Sequence, residues 1–132
     1  MNQTLDLLLQ VDEAKLIKPR REVEIKRLSE SVGQKVVFTC EAITPAKMAE
    51  IQEMVMDVRK QEVDIPEMQL MTVLAGVKEP NLKSTELLDK FKAPTPKELL
   101  LRLLLPGEIQ SLYNIISELS GYGEKAVEEV KN

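Results

Sequence analysis

The chain has 132 residues, the length of one domain with a single core, and its 43% hydrophobic and 30% charged content excludes wholesale disorder. A net charge of −4 is mild and disfavours a nucleic-acid binder, which needs a basic face to displace counterions. With 3% aromatic residues and no Trp, the core must be built from Leu, Ile, Val and Met. Cys40 is the only cysteine, so no intrachain disulfide forms, in keeping with a reducing compartment. No basic leader followed by an apolar stretch opens the chain. The most apolar run, 99–105, is too short to span a bilayer and contains Arg102. The expectation is a cytoplasmic protein without membrane contact.

Residues 4–10 predict one or two turns of helix with Leu5, Leu8 and Leu9 on one side, too short to be stable unless docked. A loop over 12–21 follows. From Glu22 the period becomes two: Val23 and Ile25 alternate with Glu22, Glu24 and Lys26. After a turn cluster at 29–34, Val36, Phe38, Cys40 and Ala42 line one side of a second strand, predicting a β-hairpin over 22–43 with a longer loop. Cys40 reads as a small buried hydrophobe of that face.

Thr44-Pro45 opens a helix, Thr as cap and Pro in the first turn. Met48, Ile51, Val55 and Val58 form its apolar stripe. Asp64-Ile65-Pro66 ends that segment and opens another. No charge occurs over 68–77, so this helix is expected to be buried on most sides, with Gly76 near its end. A short helix is expected over 85–91. Thr95-Pro96-Lys97-Glu98 has the form of a capping box before a leucine-rich helix, which Pro106-Gly107 stops or kinks. The last helix puts Ile109, Leu112, Tyr113, Ile116 and Leu119 on one face, with Gly121 as its C-terminal cap. The tail 123–132 is polar and expected to be flexible. The whole, 1–132, reads as one α+β domain, mostly helical, with the N-terminal β-hairpin (22–43) packed on a small helical bundle (44–122).

The chain has no His, which removes the commonest general base and metal ligand and, with one Cys, any ordinary zinc site or His-activated nucleophile. The five glycines never form a phosphate-cradling motif. No catalytic, cofactor-binding or metal residue is assigned and no enzyme is expected. A carboxylate-only hydrolase is the competing enzymatic reading, although nothing in the sequence shows two carboxylates converging. The helices around Pro106-Gly107 suggest a helix-turn-helix, but the second carries no Lys or Arg to read bases or phosphates. Two positive features remain. Met48, Met54, Met56, Met68 and Met71 fall in one helical stretch, either filling a core short of aromatics or forming an adaptable surface. Six leucines surround Arg102, more than one helix of a small domain readily buries, so some should face a partner or a second copy.

The stretch Leu103-Leu104-Leu105-Pro106-Gly107-Glu108-Ile109, continued by Leu112, Ile116 and Glu118-Leu119-Ser120-Gly121-Tyr122, resembles the C-terminal half of the XkdN-like tail assembly chaperones of contractile-tailed phages and defective prophages. The Thr95 to Glu98 start, the charged hairpin, Ile43-Thr44 before an acidic helix, and the ending Glu128-Glu129-Val130-Lys131-Asn132 are similar as well. The resemblance implies a non-catalytic assembly factor in the bacterial host cytoplasm, absent from the mature virion. Its implied partners are the tape measure protein, whose apolar helical surfaces it keeps from aggregating, and the tail tube protein. Self-association is a further expectation; nucleic acid and membrane are not expected partners. The residues expected to contact partners are Leu100, Leu101, Leu104, Met54 and Met56. The competing reading is a structural tail or baseplate component retained in the virion, against which low aromatic content and the lack of long β-rich segments weigh.

Many systems of this family make a longer product when the ribosome slips back one base near the end of the first frame. Val130-Lys131-Asn132 is compatible with an adenine-rich slippery heptamer. The resemblance therefore carries the expectation that this chain is the short product of a frameshifting pair.

Overall fold

The computed structural model describes residues 3–16, 18–123 and 126–131. Part of the expected flexible tail (Glu124, Lys125 and Asn132, the last residue of the expected slippery site) lies outside the described residues; 126–131 are exposed and carry no helix or strand. With 54% helix and 13% strand the protein is α+β and mostly helical, as expected. Its helices are α1 (Gln3–Leu9), α2 (Lys26–Val32), α3 (Pro45–Val55), α4 (Ile65–Gly76), α5 (Thr85–Lys90), α6 (Pro96–Leu103) and α7 (Pro106–Leu119). Its strands are β1 (Arg20–Glu24), β2 (Val37–Glu41), β3 (Met56–Asp57), β4 (Glu62–Val63) and β5 (Val77–Glu79).

The first two strands pair antiparallel as the alternation predicts, with Val23 opposite Phe38 and Arg20 opposite Glu41. β1 starts and ends two residues earlier than expected, and β2 lies within the expected second strand. Ile25 does not continue the strand; it precedes α2, is buried, and donates its N–H to the Val36 carbonyl at 3.0 Å. The expected turn cluster is thus largely helical, and Ser29 on α2 accepts the Val36 N–H at 2.8 Å. A third strand, β5, pairs antiparallel with the other edge of β2 and was not expected. Val77, read as the end of the uncharged helix, instead leaves it and pairs with Cys40 in the sheet.

Thr44 caps α3 as predicted, accepting the Lys47 N–H at 3.2 Å. The stripe ends at Val55, however. Asp57 accepts the N–H groups of Arg59 and Lys60 at 3.0 and 3.3 Å, folding the chain into a turn that the helix cannot cross. This turn joins β3 to β4 in a two-stranded ribbon and leaves Val58 83% exposed, so its place on the helical stripe is corrected.

Asp64 caps α4 through the Glu67 N–H at 3.2 Å. This helix packs on α3, α6, α7 and the strand that follows it, which is why it can dispense with charge over 68–76. Leu70, Thr72, Val73 and Gly76 are buried. The Thr72 hydroxyl has no hydrogen-bond partner among the described residues. Gly76 meets α7 so closely that a Cβ there would stand 2.6–2.8 Å from three carbons of the Ile116 side chain.

Pro106 begins α7 in its first turn, so Pro106-Gly107 separates two helices and does not kink one. Glu108 reaches back to the Leu105 N–H at 2.7 Å, half of a capping box whose other half Leu105 lacks the side chain to supply. The helix ends as its glycine predicts. Gly121 has φ +91°, its N–H bonds to the Glu118 carbonyl at 3.1 Å, and the Tyr122 N–H bonds to the Ser117 carbonyl at 3.0 Å. Of the face expected to be buried, Leu112 and Ile116 are in the core, while Ile109, Tyr113 and Leu119 are half-buried against it.

Leu112→Ala should cost about 2–5 kcal/mol in denaturant melts, the range for emptying a leucine site in a packed core. Gly76→Ala should cost about 1–3 kcal/mol by overpacking. Its cost should shrink in an Ile116→Ala background, because the two side chains compete for one space. Additive costs would place the two sites out of contact.

Candidate interaction surfaces

The polar groups that draw attention in the sequence have structural work. Cys40 is fully buried, and burial pushes its thiol up to about 11 against the opposing charge of Arg21. It is therefore a protonated core residue at neutral pH. Glu41, also buried, is pushed up by burial, but the hydrogen bond from Arg20 and the charges of Arg20, Lys78 and Lys18 outweigh that and leave it below the usual carboxylate value. Arg20 reaches it at 2.7 Å. Arg27 of α2 clamps Glu108 of α7 at 2.9 and 3.1 Å and donates to the Leu103 carbonyl at 2.7 Å. No group of three or more His, Cys, Asp or Glu residues is placed to hold a metal ion among the described residues.

Arg102 explains itself once the helices are in place. Its guanidinium donates to the Phe91 carbonyl at 2.9 Å and to the Lys92 carbonyl, both at the C-terminal end of α5. The charge within the leucine run thus ties α6 to the helix before it. Around it the leucines divide. Leu99 and Leu100 are 0% exposed and Leu104 is buried, all in the main core. Leu100 and Leu104 are therefore corrected from surface to core: α6 packs against α4 and α5 and hides more of its girth than one helix in a small domain usually can. Leu101, 51% exposed, and Leu105 stay on the surface four residues apart.

The methionines divide too. Met54 and Met56, 54% and 43% exposed, stand where α3 gives way to the β3–β4 ribbon. Met48, Met68 and Met71 are half-buried. The expected contact residues thus fall on two exposed places, Leu101 at the end of α6 and Met54 with Met56 at the ribbon; the structure does not merge them into one patch with Leu100 and Leu104.

Two features emerge only from the structure. Every described residue from 3 to 16 is exposed, so α1 buries none of its leucines in the core. On the far side of the chain order, a cleft of about 680 Å³ opens between α3, α4, the chain after β5 and the start of α6. Half-buried Met71 and Leu74 lie over buried Ile51 and Leu82 at its floor. Lys47, Lys78, Lys83 and Lys97 stand around it, and no carboxylate lines it. The lysines are scattered over fifty residues, so no run in the sequence marks the cleft.

Over residues 5–131 the chain matches the model of the phage XkdN-like tail assembly chaperone family. It belongs to that family. The fold is similar to that in the crystal structure of the protein YqbN, a target of the Northeast Structural Genomics Consortium. The two share 25% sequence identity with a TM-score of 0.66, over 83% of this chain and 90% of YqbN. No curated protein matches the chain in sequence. No helix among the described residues of this tail assembly chaperone is long and apolar enough to cross a membrane.

The Arg27–Glu108 clamp makes an acid-sensitive joint in the chaperone. The hydrogen bond from Arg27, with help from the Leu105 N–H and the Arg27 charge, outweighs burial and holds Glu108 below its ordinary value of 4.5. A carboxylate with a lowered folded pKa stabilises the fold fully above the unfolded value and loses that contribution as pH falls through the folded one. Between about pH 5 and pH 3, Glu108→Gln should therefore lose less Tm than the parent, while melting lower than the parent at pH 7. Parallel Tm profiles for the two proteins would remove Glu108 from the acid response.

Proposed function

We propose that this chaperone binds the tape measure protein during tail assembly, covers its apolar helical surfaces and helps recruit tail tube subunits. It acts in the cytoplasm of the bacterial host as one domain and is left out of the finished virion. The family match over 5–131 carries this reading. Physical chemistry supports it. A holding protein must offer aliphatic surface without chemistry, and exposed Leu101, Leu105, Met54 and Met56 offer it on a folded frame. Methionine suits a client with many similar helical segments, because its unbranched side chain refits to each. Of the five residues expected to make the contact, Leu101, Met54 and Met56 stay exposed and keep that role here, and buried Leu100 and Leu104 drop out.

Co-expression with the tape measure protein tests the binding step. The parent chain should keep the tape measure protein soluble and co-purify with it. Leu101→Asp combined with Met54→Asp should leave the melting transition within a few degrees of the parent yet lose most of the co-purified partner. Unchanged recovery would move the contact elsewhere. Mass spectrometry of purified tails tests the second step: a chaperone should be missing, and a stoichiometric amount in tails would make the chain a structural component.

A further inference from the structure

Two surfaces of this chain are complementary to each other and lie apart in the structure. The first is α1 with the turn after it. It presents Leu8 and Leu9 on one face, both more than half exposed, together with Asp6, Asp12 and Glu13, and Lys15 is the one basic residue between Gln3 and Leu16. None of these carboxylates pairs with a cation among the described residues. A seven-residue helix is too short to hold itself in water, so an exposed one this rich in leucine needs a surface to lie on.

The second is the lysine-rimmed cleft. Its floor is aliphatic, its volume of about 680 Å³ is within the range of clefts that enclose a ligand, and every charged residue that lines it is a lysine, in a chain of net charge −4. Two of these lysines already have partners on their own chain: Lys47 pairs with Glu50 at 3.4 Å and Lys97 with Glu67 at 2.6 Å. Lys78 and Lys83 make no ion pair within 4.0 Å among the described residues. An occupant should therefore be a short helix with an aliphatic face and acidic flanks. Residues 3–13 have that pattern.

No residue before Lys47 lines the cleft, so α1 does not fill the cleft of its own chain. The ten residues of 10–19 between α1 and β1 span at most about 33–36 Å when extended, enough to carry α1 off its own surface to a neighbour. We propose that α1 of one copy lies in the lysine-rimmed cleft of a second copy, leucines on the aliphatic floor and carboxylates on the lysines. Two copies exchanging α1 reciprocally form a closed dimer held by two identical contacts. Neither Leu101 nor Met54 lines the cleft, so the dimer is tested apart from tape measure binding.

The test uses two full-length variants, each altered on one side only. Leu8→Asp with Leu9→Asp spoils the helix, and Lys47→Glu with Lys83→Glu spoils the cleft. All four positions are exposed, so both variants should melt like the parent, which circular dichroism checks. By sedimentation equilibrium the parent should be a dimer, and each variant alone should dissociate at least about tenfold more readily. Mixed together, the two should form a one-to-one heterodimer, because one intact helix and one intact cleft remain. A monomeric parent overturns the proposal and gives the cleft to another protein or to the chain's own helix. So does a dimer that either variant leaves unchanged, or a mixture that stays monomeric.

Discussion

Everything in this fold is arranged around one close approach, that of α4 to α7 at Gly76 and Ile116. With no room for even a methyl group between them, the two helices meet at the point where α4 ends and β5 begins. That contact sets where the chain leaves α4, and so where β5 joins the free edge of β2. The far end of β2 is tied to the same helix. Ser120, at the end of α7, accepts the Ile43 N–H at 2.9 Å and donates to the Ile116 carbonyl at 2.7 Å. The sheet and the helical layer are thus tied together through α7 as well as through the passage of α4 into β5. Phe38 and Cys40 from the sheet, Val73 from α4, Leu99 and Leu100 from α6, and Leu112 and Ile116 from α7 close a single cluster around it.

The core leaves a good deal of aliphatic surface uncovered. It draws on Leu70 and Val73 of α4 and on Leu99 and Leu100 of α6, while Met71 and Leu74 stay half-buried. Many of the exposed apolar residues sit at element ends, among them Leu101 and Leu105 around the α6–α7 junction and Met54 and Met56 at the α3–β3 junction, and the leucines of α1 add to them. Junctions are where a helix stripe runs past the neighbour that covers it, so exposed apolar residues gather there without weakening the core. For a chaperone this separates two demands. The frame keeps its stability from one continuous cluster, and the client surface can vary at the ends.

Much of this was legible from local chemistry. Thr44, Asp64 and Thr95 are cap residues followed by Pro near the first turn, and each starts a helix where that pattern says it should. Gly121 ends α7, and the alternation over Val36, Phe38, Cys40 and Ala42 describes β2 and its buried side. The failures share a cause, which is competition from partners distant in sequence or from a turn. Val77 fits a helix by composition but is drawn into the sheet by the open edge of β2. Val58 keeps helical spacing, yet the Asp57 carboxylate binds the next backbone N–H groups and ends the helix first. Leu100 and Leu104 looked too many to bury because the extent of α6 hidden by α4 and α5 is a tertiary fact. The lysine-rimmed cleft was invisible for the same reason.

We propose that aliphatic residues at the α3–β3 and α6–α7 junctions hold the tape measure protein. Amide hydrogen exchange on the chaperone, alone and in complex with the tape measure protein, tests it most directly. The account predicts slowed exchange over 54–64 and 101–108 in the complex. It is contradicted if both segments exchange at the same rate with and without the tape measure protein while protection appears elsewhere on the chain.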